Sequence, residues 1–349
     1  MNVHGLVAFN VLLNGIGSFA IAWLVSSVAA RVMRKRIGTA AVAFAALPFA
    51  KIAFDAAGGI PERSFLWQRA EGLQQDLGSF QIGFGFTWAV PKIQLALGAL
   101  AGDQTYTQSG PDVVAGFLMR RVAPWAPGAI AIALLAIAAL LLSRRVLATV
   151  RAWNDARAIR RTQPATIARI GRRTIPVFVA DEYSTPYMSG ILRPFIVFPR
   201  ELWSSLEETE RNAAIAHELG HIAHHHLAVL TAAAVVADLF WFVPGIRSAF
   251  RRLHASIEVA ADRWAVASGI APLDLAAALV RAKDLAQGSP ASPMHLGVVD
   301  ASLPGRVDAL IAVADAPAQP QGIAARVIAH LAVLWIGATV LTALAFGNH

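Results

Sequence analysis

Five consecutive residues carry the first chemical suggestion in this chain: His217-Glu218-Leu219-Gly220-His221. On a helix, positions i and i+4 lie one above the other, so both imidazoles face the same point. Such a pair can hold a divalent metal ion. The acid that follows the first His stands beside the ion's open position, where it can take a proton from water. A catalytic zinc site has three protein ligands plus water, so one more ligand is required. Glu258 is the candidate, in the run Glu258-Val259-Ala260-Ala261-Asp262. Asp262 falls one turn further along the same face, where it can hydrogen-bond a ligand imidazole and fix its ring. The competing reading of this pair is a solvated helix face among Arg251, Arg252 and Arg263.

The chain has no cysteine, which excludes disulfides, thiolate metal sites and cysteine nucleophiles together. Any metal site must use His, Asp and Glu. No Gly-x-Ser-x-Gly elbow is present to support a serine triad. His224, His225 and His226 follow the motif. They admit a second metal, but a polar helix end whose cations suit the helix dipole is the better reading. His254, His295 and Arg306 are candidate oxyanion donors, with Arg306 read first as a structural anchor. Tyr106, Tyr183 and Tyr187 are the only tyrosines and none follows Glu258, so a downstream Tyr donor is excluded. His4 and His330 read as interface or packing residues.

The elements that must position these residues follow from local signals. Ser204 and Ser205 precede Glu207 and Glu208 as two overlapping capping boxes, opening a helix expected to run through Arg211 to about His226. Further helices are expected over 246–268, stopped by Gly269, and over 273–286, with a short last one over 306–313. Ahead of them, 174–180 and 190–198 read as strands around a turn-rich 181–189. Pro194 and Pro199 argue for short or edge strands. A basic helix over 143–161 precedes the strands.

The 349 residues are 56% hydrophobic and 15% charged, with a mean hydropathy of +0.54. Soluble domains carry about 25% charged residues, so this composition implies membrane spans joined to a soluble segment and excludes a disordered chain. A bilayer crossing needs about 20 mostly apolar residues. Stretches near 6–30, 38–57, 127–142 and 323–346 qualify. Arg31, Arg34, Lys35 and Arg36 follow the first, and Arg144, Arg145, Arg151, Arg157, Arg160 and Arg161 follow the third. The positive-inside rule then places the amino terminus outside, 58–126 outside and 143–322 in the cytoplasm of a multi-pass inner or plasma-membrane protein. The net charge of +8 is concentrated at span ends, so nucleic acid is not an expected partner. The apolar run 227–243 is short for a crossing and contains Asp238. A single crossing there would put His217 and Glu258 on opposite sides of the membrane, so it is read as a helix lying against the membrane or buried between the spans.

At these residues the chain resembles a family. HELGH followed by E-x-x-x-D is similar to the gluzincin metallopeptidases. More narrowly, Ser189-Gly190-Ile191-Leu192-Arg193-Pro194-Phe195-Ile196-Val197-Phe198-Pro199, the Trp241-Phe242-Val243-Pro244 run and the four-span layout resemble the BlaR/MecR-type membrane peptidases. The resemblance implies one zinc ion per chain held by His217, His221 and Glu258, with Glu218 as catalytic base and Asp262 as support. That family often has an acid where this chain has His226, and HtpX-like membrane peptidases more often have His there. BlaR/MecR antirepressors carry a penicillin-binding sensor domain after the last span. The chain stops at His349, so direct β-lactam sensing through such a domain is not expected.

The expected protein is mainly α and integral to the membrane, with four transmembrane helices and a cytoplasmic α+β gluzincin-type zinc peptidase domain inserted before the last span. Its parts are two amino-terminal transmembrane helices (1–57), an extracytoplasmic segment (58–126), a third transmembrane helix (127–148), the metallopeptidase domain (149–314) and a fourth transmembrane helix (323–346). The expected partners are a protein or peptide substrate and the lipid bilayer. The expected activity is endopeptidase cleavage of a cytoplasmic or membrane-associated protein, such as a transcriptional repressor in a signalling pathway. HtpX-like quality control and a non-catalytic zinc-containing receptor or scaffold are the rival readings.

Overall fold

The structure, a computed structural model, describes residues 3–32, 40–58, 118, 121–123, 125–181, 185–286 and 303–314. The fourth expected span, nearly all of 58–126, and His295 and His330 lie outside them. The chain divides into two compact units, one of residues 1–142, 233–250 and 321–349, the other of 143–232 and 251–320.

The first unit is built from apolar helices. α1 (Val3–Val32) and α2 (Ala40–Gly58) precede α3 (Ala126–Ile159), whose first half belongs here. Among the described residues two helices are long and apolar enough to cross a bilayer, α1 over Val11–Arg31 and α3. The apolar part of α2, Ala41–Ala53, is shorter. At about 1.5 Å per residue, the 34 residues of α3 span about 50 Å, against a hydrocarbon core of about 30 Å. The helix therefore continues the third apolar stretch into the basic segment, as the sequence suggests.

Into this unit runs the second half of α6 (His226–Leu239). Phe240 just after it is buried and seats against Gly15 of α1, where a Cβ would come within 2.7 Å of the Phe240 ring. The Trp241 indole N–H donates to the Leu134 carbonyl at 3.2 Å. The end of the 227–243 run, at Phe240 and Trp241, thus packs on α1 and α3 within this unit.

The second unit is α+β. β1 (Thr166–Ile170) and β2 (Arg173–Ala180) form a hairpin around Gly171, whose φ of 55° suits a residue without Cβ. β3 (Tyr187–Ser189) and β4 (Phe195–Pro199) complete a sheet of order β1-β2-β4-β3, in which β2 and β4 run parallel and the other pairs antiparallel. Period-two alternation gives the inner strands two apolar faces. Ile175, Val177, Ile196 and Phe198 pack on Ile215, Leu219 and Ile222 of α5 (Glu208–Ala223). Phe178, Phe195 and Val197 pack on Ala156 at the end of α3. The short α4 (Arg200–Ser205) leads into α5. Beyond α6 come α7 (Ile246–Ala267), α8 (Pro272–Ala286) and α9 (Leu303–Ala314).

Several local expectations change. β4 is short, as one of the two proline readings had it, but interior and entirely buried rather than at an edge. Pro199 is tolerated because it closes the strand, and residues 190–194 form a turn in which Gly190 adopts φ 84°. The stretch expected as a turn supplies β3, which with β1 forms the outer strands of the sheet. The capping box of α5 uses Glu207 and Glu210, with the Glu207 N–H donating to Glu210 Oε2 at 3.0 Å. Ser204 and Ser205 instead close α4, donating to the carbonyls of Arg200 and Leu202 at 3.0 Å each. Finally, α5 stops at Ala223. His225 takes a left-handed φ of 53°, and α6 departs at 59° to α5.

Candidate metal centre

α5 carries the HELGH motif on its buried face, where His217, Glu218 and His221 are each less than a tenth exposed. α7 brings Glu258 and Asp262 to it, and α9 brings Arg306. His217 Nε2 and His221 Nε2 stand 3.1 Å apart. Glu258 Oε2 is 3.5 Å from His217 Nε2, and its Oε1 is 3.7 Å from His221 Nε2. Ligands about 2.05 Å from a tetrahedral ion are about 3.3 Å from one another, so these separations fit a single zinc-sized ion. They form a group able to hold a metal among the described residues.

The close approach of α7 to α5 depends on Gly220. A Cβ there would lie 3.1 Å from Ala261 Cα and 3.2 Å from its carbonyl oxygen. Ala261 sits between Glu258 and Asp262, so pushing α7 away displaces both carboxylates. Gly220→Ala gains helix propensity worth about 1 kcal/mol and loses fit. The expected result is a folded protein with zinc affinity about tenfold weaker in a chelator competition, the lower end of the cost of overpacking.

Asp262 is buried, and its Oδ1 lies 2.9 Å from His217 Nδ1, off the line of an ideal hydrogen bond. The solvated-face reading of Glu258 and Asp262 therefore does not hold. Arg306, 4% exposed, grips Asp262 with both arms of its fork, Nε to Oδ2 at 2.7 Å and NH2 to Oδ1 at 2.8 Å. It also donates from NH1 to Glu258 Oε2 at 3.0 Å. Arg306 is thus an anchor for both carboxylates, and its donors are committed to them rather than to an oxyanion. Behind His221, His226 Nδ1 lies 3.1 Å from His221 Nδ1. On a straight helix five positions advance the chain about 140° off-face. Only the bend at His225 makes this contact, so helical spacing gave no sign of it.

Charge in the cluster is strongly shifted. Burial pushes Glu218 up to about 7, partly opposed by His217. Burial works to raise Glu258 as well, but His217, His221 and Arg306 outweigh it and hold Glu258 well below the usual carboxylate range. Asp262 is lowered for the same kind of reason: burial opposes, while Arg306 and His217 prevail. His217 meets both carboxylates and rises to about 10 despite burial. Burial lowers His221 to about 3 and His226 to about 4. A neutral, metal-competent His221 and a carboxyl poised near neutrality are what metal-assisted proton transfer requires.

Two imidazole nitrogens and one carboxylate around one point, with a buried acid alongside, make the donor set of a metallohydrolase. The family comparison agrees with that class. Residues 93–272, just over half of the chain, match the family described as BlaR1 peptidase M56, and the chain belongs to that family. No curated protein matches it. The family and the apolar helices together make this a membrane-associated metallopeptidase.

Proposed function

We propose that this protein is an integral-membrane zinc endopeptidase in which His217, His221 and Glu258 hold the ion and Glu218 is the catalytic base. The observation that carries the reading is the convergence of three ligand atoms at 3.1–3.7 Å beside a buried carboxyl raised to about 7. Bound zinc supplies Lewis acidity and an acidified water to such a site. Glu218 accepts the water's proton on its carboxylate and returns it to the leaving amine. Asp262 and Arg306 hold the ligand shell in register. An extended peptide is aligned by adding to an outer strand of the sheet. Of the two outer strands among the described residues, β1 and β3, the one next to the 190–198 segment is β3, because β4 itself is flanked on both sides.

The domain scheme follows the sequence: spans at 1–57, 127–148 and 323–346, an outer segment at 58–126, and a catalytic domain over 149–314 that faces the cytoplasm, as the basic span ends require. The substrate class is a cytoplasmic or membrane-associated protein, of which a repressor is one instance. A structural zinc site would need a fourth protein ligand. Among the described residues the candidate group has three members, and His226 beside it meets the outer nitrogen of His221, which supports the catalytic reading.

The test uses full-length protein in detergent. Glu218→Gln is expected to bind zinc as the native chain does and to lose about 10²- to 10⁴-fold in cleavage of an unstructured protein substrate. His217→Ala is expected to lose both. Equal cleavage by native protein and Glu218→Gln overturns the mechanism.

A further inference from the structure

We propose that His226 is a positioning residue for the metal centre, accepting a hydrogen bond at its Nδ1 from Nδ1–H of His221 and so committing the Nε2 lone pair of His221 to the ion. The inference rests on the ligand set proposed above. Two ring nitrogens 3.1 Å apart share one proton, since two bare lone pairs or two N–H groups would repel. A histidine that ligates through Nε2 carries its proton on Nδ1. The proton between the rings therefore belongs to His221, and His226 is the acceptor. His217 has the counterpart in Asp262, 2.9 Å from its own Nδ1. Each ligand imidazole thus has its own group behind it, one anionic and one neutral.

The local structure is built to deliver this contact. His226 is 2% exposed. The left-handed residue His225, a conformation that residues with a Cβ rarely adopt, turns the chain so that the His226 ring meets His221 edge to face at 5.1 Å. His224 stacks on the other side of His226, 5.4 Å away with the planes 19° apart, and its Nδ1 lies 3.1 Å from the Gly220 carbonyl. His226 is thus in contact with both His221 and His224, which limits its freedom to turn its acceptor away.

The test compares two substitutions in the full chain. In His226→Asn the amide oxygen is bonded to the side chain at the same position as Nδ1, so the acceptor is retained. His226→Leu keeps apolar bulk and removes it. Zinc affinity by chelator competition is expected to fall about 10- to 100-fold in His226→Leu, the range for lost outer-shell partners, and to return to within a few-fold of native in His226→Asn. The visible spectrum of the Co²⁺-loaded protein should change in the Leu variant and be native-like in the Asn variant. If His226→Leu does not fold, as judged by the near-ultraviolet circular dichroism of the metal-free protein, His226→Met takes its place. Equal zinc affinity in the Asn and apolar variants, whether native-like or reduced, overturns the proposal and leaves the ligand set standing. A native protein that binds zinc no more tightly than His217→Ala overturns the ligand set itself.

Discussion

Glu218→Gln is expected to make the metal-free protein more stable at pH 8 by about 3 kcal/mol, and no more stable at pH 4. The folded protein holds the Glu218 carboxyl at about 7, above its ordinary 4.5, chiefly because it is buried. At about 1.36 kcal/mol per pKa unit, this difference corresponds to about 3 kcal/mol. The sign follows from proton linkage. Below pH 4.5 the group is protonated in both folded and unfolded chains and costs nothing. Between 4.5 and 7 the unfolded chain ionises while the folded one resists, so the native protein loses stability as the pH rises. Above 7 the full cost is present. Glutamine does not titrate and is free of it. Denaturant unfolding of both proteins with chelator present, at pH 4 and pH 8, measures the difference directly. A gap that does not change with pH would contradict the burial argument. On the proposed function, the variant expected to lose turnover is also expected to be the more robust protein.

Arg306→Met is expected to produce the largest loss of stability, about 3–5 kcal/mol at neutral pH, the usual cost of breaking a buried ion pair by removing one partner. Three donor contacts to two buried carboxylates disappear together. Asp262 and Glu258 then face one another's charge with His217 as their remaining cationic neighbour. Their pKa values rise, so the deficit should shrink as acid protonates them. Arg306→Lys keeps the charge without the planar fork that serves both Asp262 oxygens, and should recover only part of the loss. Full recovery in Lys would show that charge alone matters at this position. No destabilisation in Met would show that α9 does not hold the cluster.

The candidate site was legible in the sequence because its residues repeat at helical spacing. His217 and His221 are one turn apart on α5, and Glu258 and Asp262 are one turn apart on α7. The sequence also yielded the stop at Gly269, where φ is 97°. It missed what depends on breaks in regular structure. The partnership of His226 with His221 exists only because His225 is left-handed, and periodicity is blind to such a residue. β1 and β3 are short and half exposed, so neither leaves an alternating pattern. The prolines of β4 argued for a short or an edge strand; it is short, at five residues, but interior, because burial on both faces outweighs the edge signal once the strand has two neighbours. The serines before α5 fit a capping pattern by spacing, yet an intervening turn of helix took their hydroxyls.

The order in which the chain supplies these groups has a temporal consequence. Arg306 lies 48 residues beyond Glu258 and 44 beyond Asp262. At about 5–20 residues per second, the ribosome releases the two acids several seconds before the cation that clamps them. During that interval the nascent domain has its histidines and carboxylates but lacks their common anchor. Completion of the candidate centre is therefore a late event in biosynthesis, set by the arrival of α9.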